Sequence, residues 1–297
     1  MKSSVIIPAY NEEKALPLVI EEYLPFADEI IIVDDGSTDK TCEVAKKYNV
    51  KVYRHEKNLG KAAAIRNGIR NAAGDIIILT DADYTYPAKY IPIFVREIEN
   101  GADLVLGSRF IEKTKNIPLL NSIGNVLFSL LTSYISGVTI SDGQTGYRAF
   151  KKEMFEKFDV NAKGLEFETK MTVKVAKLGY TICEVPIEYR ARIGQSKLSP
   201  IYDGCKMFSS IVSIAISETS LLAKVMILPS IFFVFFGLYF GAISVFQKIQ
   251  YSVVKHDFYP LLTAFFILLA MQLISFGFLI DNLTKKLDRI EEKFRKK

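Results

Sequence analysis

The chain has 297 residues, enough for one large domain or two smaller ones. Its 38 basic and 33 acidic residues give a formal net charge of +5, a small excess that does not predict binding to nucleic acid. The three cysteines and two histidines are too far apart in the sequence to predict a disulfide framework or a zinc site with closely spaced ligands.

Short runs rich in Val and Ile alternate with helical stretches over the N-terminal third of the chain. The apolar runs are SSVIIP, DEIIIVDD, VKVYR, DIIILTD and ADLVLGS, and the helical stretches include STDKTCEVAKKY, KAAAIRNGIRNAA and AKYIPIFVREIEN. Strands that are apolar on both faces and alternate with helices indicate an α/β fold with a mainly parallel sheet. Ligands of such sheets bind beyond the carboxyl ends of the strands, so the polar groups that follow the runs should converge on one cleft.

The stretch DIIILTDADYTYP, residues 75–87, places two carboxylates where a predicted strand ends. If the strand continued, alternation would point Asp81 and Asp83 to the same side. A turn would instead give them separate roles, one toward a nucleotide and one toward a metal ion. Aspartates at strand ends are also common turn residues, so the spacing alone leaves that interpretation open.

Residues 116–141 carry no formal charge and show an amphipathic helical pattern. The apolar positions are Leu120, Ile123, Leu127, Leu130 and Tyr134, and the polar positions are Asn121, Ser122, Asn125, Ser129 and Ser133. A membrane span here would separate the flanking motifs on opposite sides of the membrane. We therefore expect a helix that lies at the membrane interface, with a core helix as the alternative.

Two long apolar segments lie near the C-terminus. Residues 225–246 and 258–280 contain 22 and 23 residues without a formal charge, and each run exceeds the roughly 20 residues needed to cross a bilayer core. We predict membrane spans at 221–246 and 258–280, preceded by an amphipathic juxtamembrane helix at 199–220.

The distribution of basic residues predicts which side of the membrane is cytosolic. The tail at 281–297 carries seven basic and four acidic residues, whereas the connection QKIQYSVVKHD carries two basic residues and one acidic residue. Two spans return the chain to its starting side. We expect a multi-pass protein of the cell membrane, with the domain at 1–198 and both termini in the cytosol.

The glycine and serine motifs of several enzyme classes are absent. No GxGxxG follows the first apolar run, and neither GxxxxGK[ST] nor GxSxG occurs in the chain. The predicted cleft instead offers carboxylates and, further along, arginines. This combination suits a divalent cation that bridges a diphosphate, because Mg²⁺ often uses one or two carboxylates together with substrate phosphates.

Seven motifs, taken together and in order, are specific for one protein family. They are VIIPAYNEE, VDDGSTD, NLGKAAAIRNG, DAD, GSR, DGQTGYRAF and RARIGQSKL. They resemble the family 2 glycosyltransferases with the GT-A fold, and among these the polyprenyl-phosphate hexose synthases, such as dolichyl-phosphate mannose or glucose synthase. The resemblance covers residues 3–200. It implies an inverting, membrane-bound enzyme that moves a hexose from a nucleotide-diphosphate sugar to dolichyl or polyprenyl phosphate at the lipid bilayer, with Mg²⁺ or Mn²⁺ as cofactor.

The resemblance also implies roles for individual residues. The implied nucleotide-sugar-binding residues are Pro8, Tyr10, Glu12, Val33, Asp35, Asp81, Ala82 and Asp83. The implied catalytic residues are Asp83, Arg109, Arg192 and Lys197, of which the three cations would contact donor or acceptor phosphates. The implied metal ligands are Asp83 and Thr85.

Two positions depart from the pattern of the family. Some relatives have a glutamine that helps to complete the metal shell where this chain has Thr85, whose hydroxyl could coordinate directly or through water. Some relatives also have an arginine toward the acceptor phosphate where this chain has Asn121.

Other functions are compatible with parts of the sequence. A processive polysaccharide synthase shares the nucleotide-binding motifs, but its QxxRW acceptor motif needs a tryptophan and this chain has none. A second alternative is a membrane scaffold that keeps the fold and has lost the chemistry. The implied site residues argue against it because they are intact, namely Asp81, Asp83, Arg109 and Lys197. DGQTGYRAF looks closer to relatives that use UDP-glucose or UDP-N-acetylglucosamine than to those that use GDP-mannose. The sequence leaves open the sugar, the lipid and whether the chain forms a homo-oligomer.

Overall fold

The computed structural model describes residues 1–111, 119–158, 164, 166–194, 197, 200–251, 253 and 258–295. The chain divides into two compact units, Met1–Ile214 and Ala215–Lys297. The first unit contains the sheet and all seven sequence motifs, and the second consists of long helices.

Seven strands form one sheet in the part of the chain that the structure describes. They are β1 Ser3–Ala9, β2 Glu29–Asp34, β3 Lys51–Arg54, β4 Ile76–Leu79, β5 Leu104–Ser108, β6 Arg148–Lys151 and β7 Ile182–Pro186. The strand order is β3-β2-β1-β4-β6-β5-β7, and β6 runs antiparallel to both neighbours while the other pairs are parallel. The predicted mainly parallel α/β sheet is therefore confirmed, and all five predicted strands are present.

Helices lie between the strands and continue to the C-terminus. Those that begin in the first unit are α1 Leu16–Tyr23, α2 Thr41–Ala45, α3 Lys61–Asn71, α4 Ile91–Glu99, α5 Leu119–Ser136, α6 Lys152–Phe158, α7 Phe167–Lys177 and α8 Pro200–Glu218. The second unit has α9 Leu221–Tyr251 and α10 Phe258–Arg295. A short 3₁₀ turn at Ala88–Tyr90 precedes α4.

The central strands bury both of their faces, which explains their uninterrupted apolar runs. Val5 and Ile7 of β1 join a hydrophobic cluster on one face of the sheet, with α1 and α4. Ile6 joins a second cluster on the other face, with α3 and α7. Strands covered on both faces have no polar side to alternate with, so their sequence reads as a continuous hydrophobic run.

Helix α5 packs on the first unit through its polar face and exposes its apolar face. Ser129 and Thr132 are buried, and the Ser129 hydroxyl accepts a hydrogen bond of 2.9 Å from the backbone N–H of Gly143. The exposed apolar side chains of the helix are Ile123, Val126, Leu127, Leu130 and Tyr134. The side chain of Leu120 lies outside the described residues. From Ile123 onward, the apolar positions of the predicted amphipathic pattern are therefore exposed. In a core helix they would be buried.

Helices α9 and α10 of the second unit pack against each other over much of their length. Two glycines allow this close approach, because a Cβ on Gly237 would lie 2.7 Å from Ile267 and one on Gly277 would lie 2.5 Å from Ile227. Leu221–Tyr251 and Phe258–Thr284 are long and apolar enough to cross a membrane. Helix α10 continues to Arg295, through most of the predicted tail, whereas residues 254–257 of the predicted outer loop lie outside the described residues.

Helix α3 packs directly on β1 at a glycine, which generates a stability prediction. A Cβ on Gly68 would lie 2.4 Å from Cγ2 of Ile6. Overpacking of this kind costs about 1–3 kcal/mol, so we expect Gly68→Ala to lower the thermal unfolding midpoint of the purified chain in detergent, followed by circular dichroism. The control is Gly124→Ala in α5, where a Cβ would meet nothing within 4 Å. A Gly68→Ala midpoint at or above that of the wild type would contradict the prediction.

Candidate active site

The loops that follow β1 and β2 are hydrogen-bonded to each other at the carboxyl edge of the sheet. Asn11 has a positive φ of 53°, and its side-chain oxygen accepts a hydrogen bond from the Thr38 backbone N–H at 2.8 Å. Its own backbone N–H donates to the Ser37 hydroxyl at 2.9 Å. Gly36 also has a positive φ, and a Cβ there would lie 2.5 Å from the backbone of Lys57. The PAYNE and DDGSTD motifs therefore form one surface, and Gly36 allows it to be compact.

The Glu12 carboxylate is the centre of an ion-pair cluster. Nη2 of Arg192 and Nζ of Lys197 both donate to Oε1 of Glu12, at 2.5 and 2.7 Å. Nη1 of Arg192 lies 3.4 Å from Oδ2 of Asp83, and Lys197 also donates to the backbone oxygen of Tyr10. The structure thus brings together five residues that the sequence assigned to the nucleotide and phosphate sites.

The DAD motif lies in a turn after β4. Tyr84 has a positive φ of 69°, so the strand does not continue through the motif. Oδ1 of Asp83 accepts hydrogen bonds from the Thr85 backbone N–H at 3.2 Å and from its hydroxyl at 2.6 Å. Ala82 is buried in the core, and the flanking carboxylates have different partners. The turn therefore separates the environments of Asp81 and Asp83.

Asp81 belongs to a second charged cluster. Nζ of Lys61 lies 2.7 Å from Oδ1 of Asp81 and 3.0 Å from Oε1 of Glu168, so one ammonium is shared by two carboxylates. Glu168 is in the first turn of α7, where the helix dipole favours a negative charge. Lys61 is the first residue of α3 and part of the NLGKAAAIRNG motif.

The residues around Asp83 fit a divalent cation that takes its remaining ligands from a substrate. Burial raises the pKa of the Asp83 carboxyl, and the negative charge of Asp81 raises it further. A cation at this point would relieve both effects. Among the described residues there is no group of three or more His, Cys, Asp or Glu side chains that could hold a metal ion. A cation at Asp83 would therefore need ligands from a bound diphosphate or water, as Mg²⁺ often does. The Thr85 side chain is fully buried and its hydroxyl donates to Asp83, so its role as a second metal ligand stays a prediction.

Arg109 forms a buried two-bond ion pair with Asp142. Its Nε and Nη2 donate to the two carboxylate oxygens at 2.6 and 2.9 Å. Glu184 in turn accepts hydrogen bonds from the backbone N–H groups of Ser141 and Asp142 and so orients the acidic partner. The guanidinium also lies over the Tyr189 ring, 5.2 Å from its centroid. Contact of Arg109 with a substrate phosphate stays a prediction.

Asp35 anchors the loop that leads into α3. Its Oδ1 lies 2.7 Å from Nδ1 of His55 and accepts from the Leu59 backbone N–H at 2.9 Å, and its Oδ2 accepts from the Gly60 backbone N–H at 2.8 Å. Val33 points into the core. A nucleotide would therefore meet the backbone of Val33 rather than its side chain.

Several charged residues of the site were missed by sequence reasoning. Lys61 and Asp142 lie inside quoted motifs but were given no role. Glu168 and Glu184 lie outside every motif, in α7 and β7, so only their contacts identify them. The sequence also gives no role to His55, whose ring contacts Asp35.

Comparison with solved structures defines the class of fold. Glucosyl-3-phosphoglycerate synthase from Mycobacterium tuberculosis, in complex with Mn²⁺, UDP and glucosyl-3-phosphoglycerate, superposes with a TM-score of 0.59 at 22% identity, over 73% of this chain and 79% of that one. The fold is of the GT-A type. Residues 4–159 match the model of glycosyl transferase family 2, and the chain belongs to this family of glycosyltransferases.

Curated relatives align with this chain over more residues than the family model does. Dolichyl-phosphate hexose transferase from Haloferax volcanii is 35% identical over 219 residues, which cover 72% of this chain and 94% of the relative. Dolichol-phosphate mannosyltransferase from Pyrococcus furiosus is 36% identical over 217 residues, which cover 67% of this chain and 59% of the relative.

The buried pair of Arg109 and Asp142 generates a prediction that separates a structural role from a substrate contact. Removing one partner leaves an uncompensated buried charge, at a cost of about 3–5 kcal/mol. We expect Arg109→Gln and Asp142→Asn each to lower the thermal midpoint, and the double variant to recover part of the loss. Circular dichroism of the purified protein during heating measures the midpoints, and turnover is measured separately. An unchanged midpoint with lost turnover in Arg109→Gln would show instead that the guanidinium acts on the substrate.

Proposed function

We propose that this glycosyltransferase moves a hexose from a nucleotide-diphosphate sugar to dolichyl or polyprenyl phosphate at a membrane. The relatives named for dolichyl-phosphate hexose and dolichol-phosphate mannose transfer support this acceptor class. The donor is UDP-glucose, UDP-N-acetylglucosamine or GDP-mannose, and the DGQTGYRAF motif favours the two UDP-sugars.

The observation that carries the proposal is the cluster formed by Glu12, Asp83, Arg192 and Lys197. Two cations converge there with a carboxylate suited to a divalent metal ion. Arginine offers a planar fork of donors to phosphate oxygens, and lysine acts as a mobile point charge. Such a cluster suits the diphosphate of a donor and the phosphate of an acceptor side by side.

The acceptor phosphate needs no general base. A phosphate monoester has a second pKa around 6 and is largely dianionic at neutral pH. One of its oxygens attacks the anomeric carbon, the bond from that carbon to the nucleoside diphosphate breaks, and the configuration inverts. Arg192 and Lys197 would orient the acceptor and reduce its repulsion from the donor diphosphate. Bound at Asp83 and Thr85, Mg²⁺ or Mn²⁺ would supply Lewis-acid stabilisation of the leaving diphosphate.

The exposed apolar face of α5 supports a membrane-bound acceptor. Its polar face forms hydrogen bonds inside the first unit. The helix therefore cannot turn that face toward water in place of the exposed Ile, Val, Leu and Tyr side chains. Contiguous exposed apolar surface marks an interaction site, and an amphipathic helix of this kind lies at a lipid interface. We propose that α5 contacts the bilayer, that α9 and α10 cross it, and that both termini are cytosolic.

Substitution of Asp83 and removal of the metal with EDTA test whether Asp83 is a metal ligand. We expect Asp83→Asn to slow turnover by about a thousandfold while the protein stays folded, because several kcal/mol of stabilisation of the leaving group would be lost. EDTA should have a similar effect on the wild type, reversed by Mg²⁺ or Mn²⁺. Asp75→Asn is the matched control, since Asp75 precedes the opposite end of β4 and is exposed. Near-normal turnover in EDTA would contradict the metal assignment.

Comparison of two lipids tests the acceptor. Polyprenyl phosphate and free polyprenol of equal chain length are offered to purified enzyme in one detergent with an accepted sugar nucleotide. We expect only the phosphate to be glycosylated, and Arg192→Ala or Lys197→Ala to raise the KM for it about tenfold or more, because the anion loses a charged partner. Arg70→Ala, at an exposed site on α3, is the control. Equal glycosylation of the two lipids would overturn this proposal.

A further inference from the structure

His55 lies next to Asp35 because the register of the sheet places it there. Strand β3 pairs in parallel with β2, with Arg54 opposite Asp34, and His55 is the residue that follows β3. Its backbone N–H donates to the backbone oxygen of Asp34 at 2.9 Å. The side chains of His55 and Asp35 are 10% and 4% exposed, and Nδ1 of the ring lies 2.7 Å from Oδ1 of Asp35. Their contact is therefore largely shielded from water.

Two asparagines of α3 determine which nitrogen of the His55 ring carries a hydrogen. Nδ2 of Asn71 lies 2.9 Å from the backbone oxygen of Asn67, which can only accept, so the amide nitrogen of Asn71 faces Asn67. The same nitrogen donates to Oδ1 of Asn67 at 3.0 Å. Nδ2 of Asn67 is therefore left to donate to Nε2 of His55, at 2.9 Å. A ring nitrogen that accepts a hydrogen bond carries no hydrogen.

The ring of His55 is therefore neutral, with its hydrogen on Nδ1, and donates to Asp35. The backbone N–H groups of Leu59 and Gly60 donate to the same carboxylate. These three donors, which the described part of the chain supplies, are uncharged, so Asp35 keeps its full negative charge. Glu12, by contrast, pairs with two cations. Hydrogen bonds to an ionised acceptor are stronger than those between neutral groups, so Asp35 in this state is a strong acceptor for a ligand.

We propose that His55 and Asn67 are positioning residues for nucleoside recognition, which orient the Asp35 carboxylate and leave its charge uncompensated. This inference rests on the proposed function, because it takes Asp35 as part of the site for the nucleoside of a sugar nucleotide. Among the described residues, Oδ2 of Asp35 accepts one hydrogen bond, from Gly60, and a carboxylate oxygen can accept a second. An N–H or O–H group of a nucleoside suits that position. His55 and Asn67 would act through Asp35 and touch no substrate.

A charged His55 ring would compensate the charge of Asp35. A carboxylate next to a histidine favours the charged form of the ring. An imidazolium carries a hydrogen on both nitrogens, so the amide nitrogen of Asn67 would then face an N–H group instead of a lone pair. Because Asn71 fixes the orientation of that amide, Asn67 opposes the charged form. The asparagine thus has an electrostatic effect that packing alone would not need.

The state of the ring can be observed directly, because the chain has only two histidines. The protein is the full-length His256→Gln variant in detergent with ¹⁵N-labelled histidine, so that every ring signal comes from His55. Spectra are recorded at about pH 8, where a free histidine is neutral. We expect the ¹⁵N–¹H correlation spectrum to show a hydrogen on Nδ1 and none on Nε2. When Asn67→Asp is added, we expect a hydrogen on both nitrogens, because the new carboxylate can only accept.

Binding measurements separate nucleoside recognition from diphosphate recognition. The probes are UDP or GDP, whichever the wild type binds more tightly, and inorganic pyrophosphate, each with Mg²⁺. Their Kd values are measured by calorimetry for the full-length wild type, His55→Leu, His55→Asn and Asn67→Asp. Leucine removes the donor, whereas asparagine places an amide nitrogen near the position of Nδ1. The control is Asn49→Asp, at an exposed residue that precedes β3 at the end away from His55.

We expect His55→Leu and Asn67→Asp to weaken the nucleoside diphosphate about fivefold or more, because Asp35 loses a donor in one variant and gains a cationic partner in the other. His55→Asn should lose less affinity than His55→Leu, since it keeps a donor. Pyrophosphate should change by less than about twofold, because the substitutions lie outside the phosphate cluster and the two charges added in Asn67→Asp cancel. Asn49→Asp should match the wild type throughout.

Three outcomes would overturn the inference. They are a hydrogen on Nε2 of His55 while Asn67 is intact, wild-type affinity of His55→Leu for the nucleoside diphosphate, and an equal loss for the nucleoside diphosphate and pyrophosphate. The last outcome would show a structural role alone. If the wild type binds nucleoside diphosphates but glycosylates no polyprenyl phosphate, the proposed acceptor fails, while the spectrum and the binding ratios still decide the role of His55.

Discussion

The site depends on the parallel pairing of β1 with both β2 and β4. In this register Pro8 lies opposite Val33, and Ile6 lies opposite Leu79. The three strands therefore end at one edge of the sheet, and their following loops start one strand spacing apart, about 4.8 Å. Because both faces of these strands are buried, a shift of register by one residue would exchange the two core faces and disperse the loops.

Charge balance organises the groups that this edge brings together. Glu12 pairs with Arg192 and Lys197, and Arg192 also lies near Asp83. Lys61 is shared by Asp81 and Glu168. Carboxylates this close would repel one another and lose hydration without cations between them. In the proposed function, a phosphate that enters the first cluster would compete with Glu12 for partners that are already charged and oriented. Binding there would be an exchange of ion-pair partners, which favours selectivity over raw affinity.

Helix α5 has the reverse of the usual orientation of an amphipathic helix on a folded domain. Ser129, Thr132 and Ser133 find partners in the helix backbone and in the loop at Gly143. Its leucines turn outward, where exposed apolar area is unfavourable in water and favourable against lipid. The amphipathic pattern alone is the same for both orientations. The hydrogen bonds of the polar face decide between them.

The sequence by itself determined β1 to β5, the helical pattern of α5 and the two apolar C-terminal helices, because these follow from local periodicity and the length of apolar runs. It did not reveal β6, which has only four residues, begins with Arg148, ends with Lys151 and exists through its long-range pairing with β4 and β5. Only the tertiary structure decided that Arg109 pairs with Asp142 and that Lys61 is shared by two carboxylates. The physical reason is that an ion pair depends on a distance of a few ångströms between side chains from separate elements, and spacing along the chain does not encode that distance.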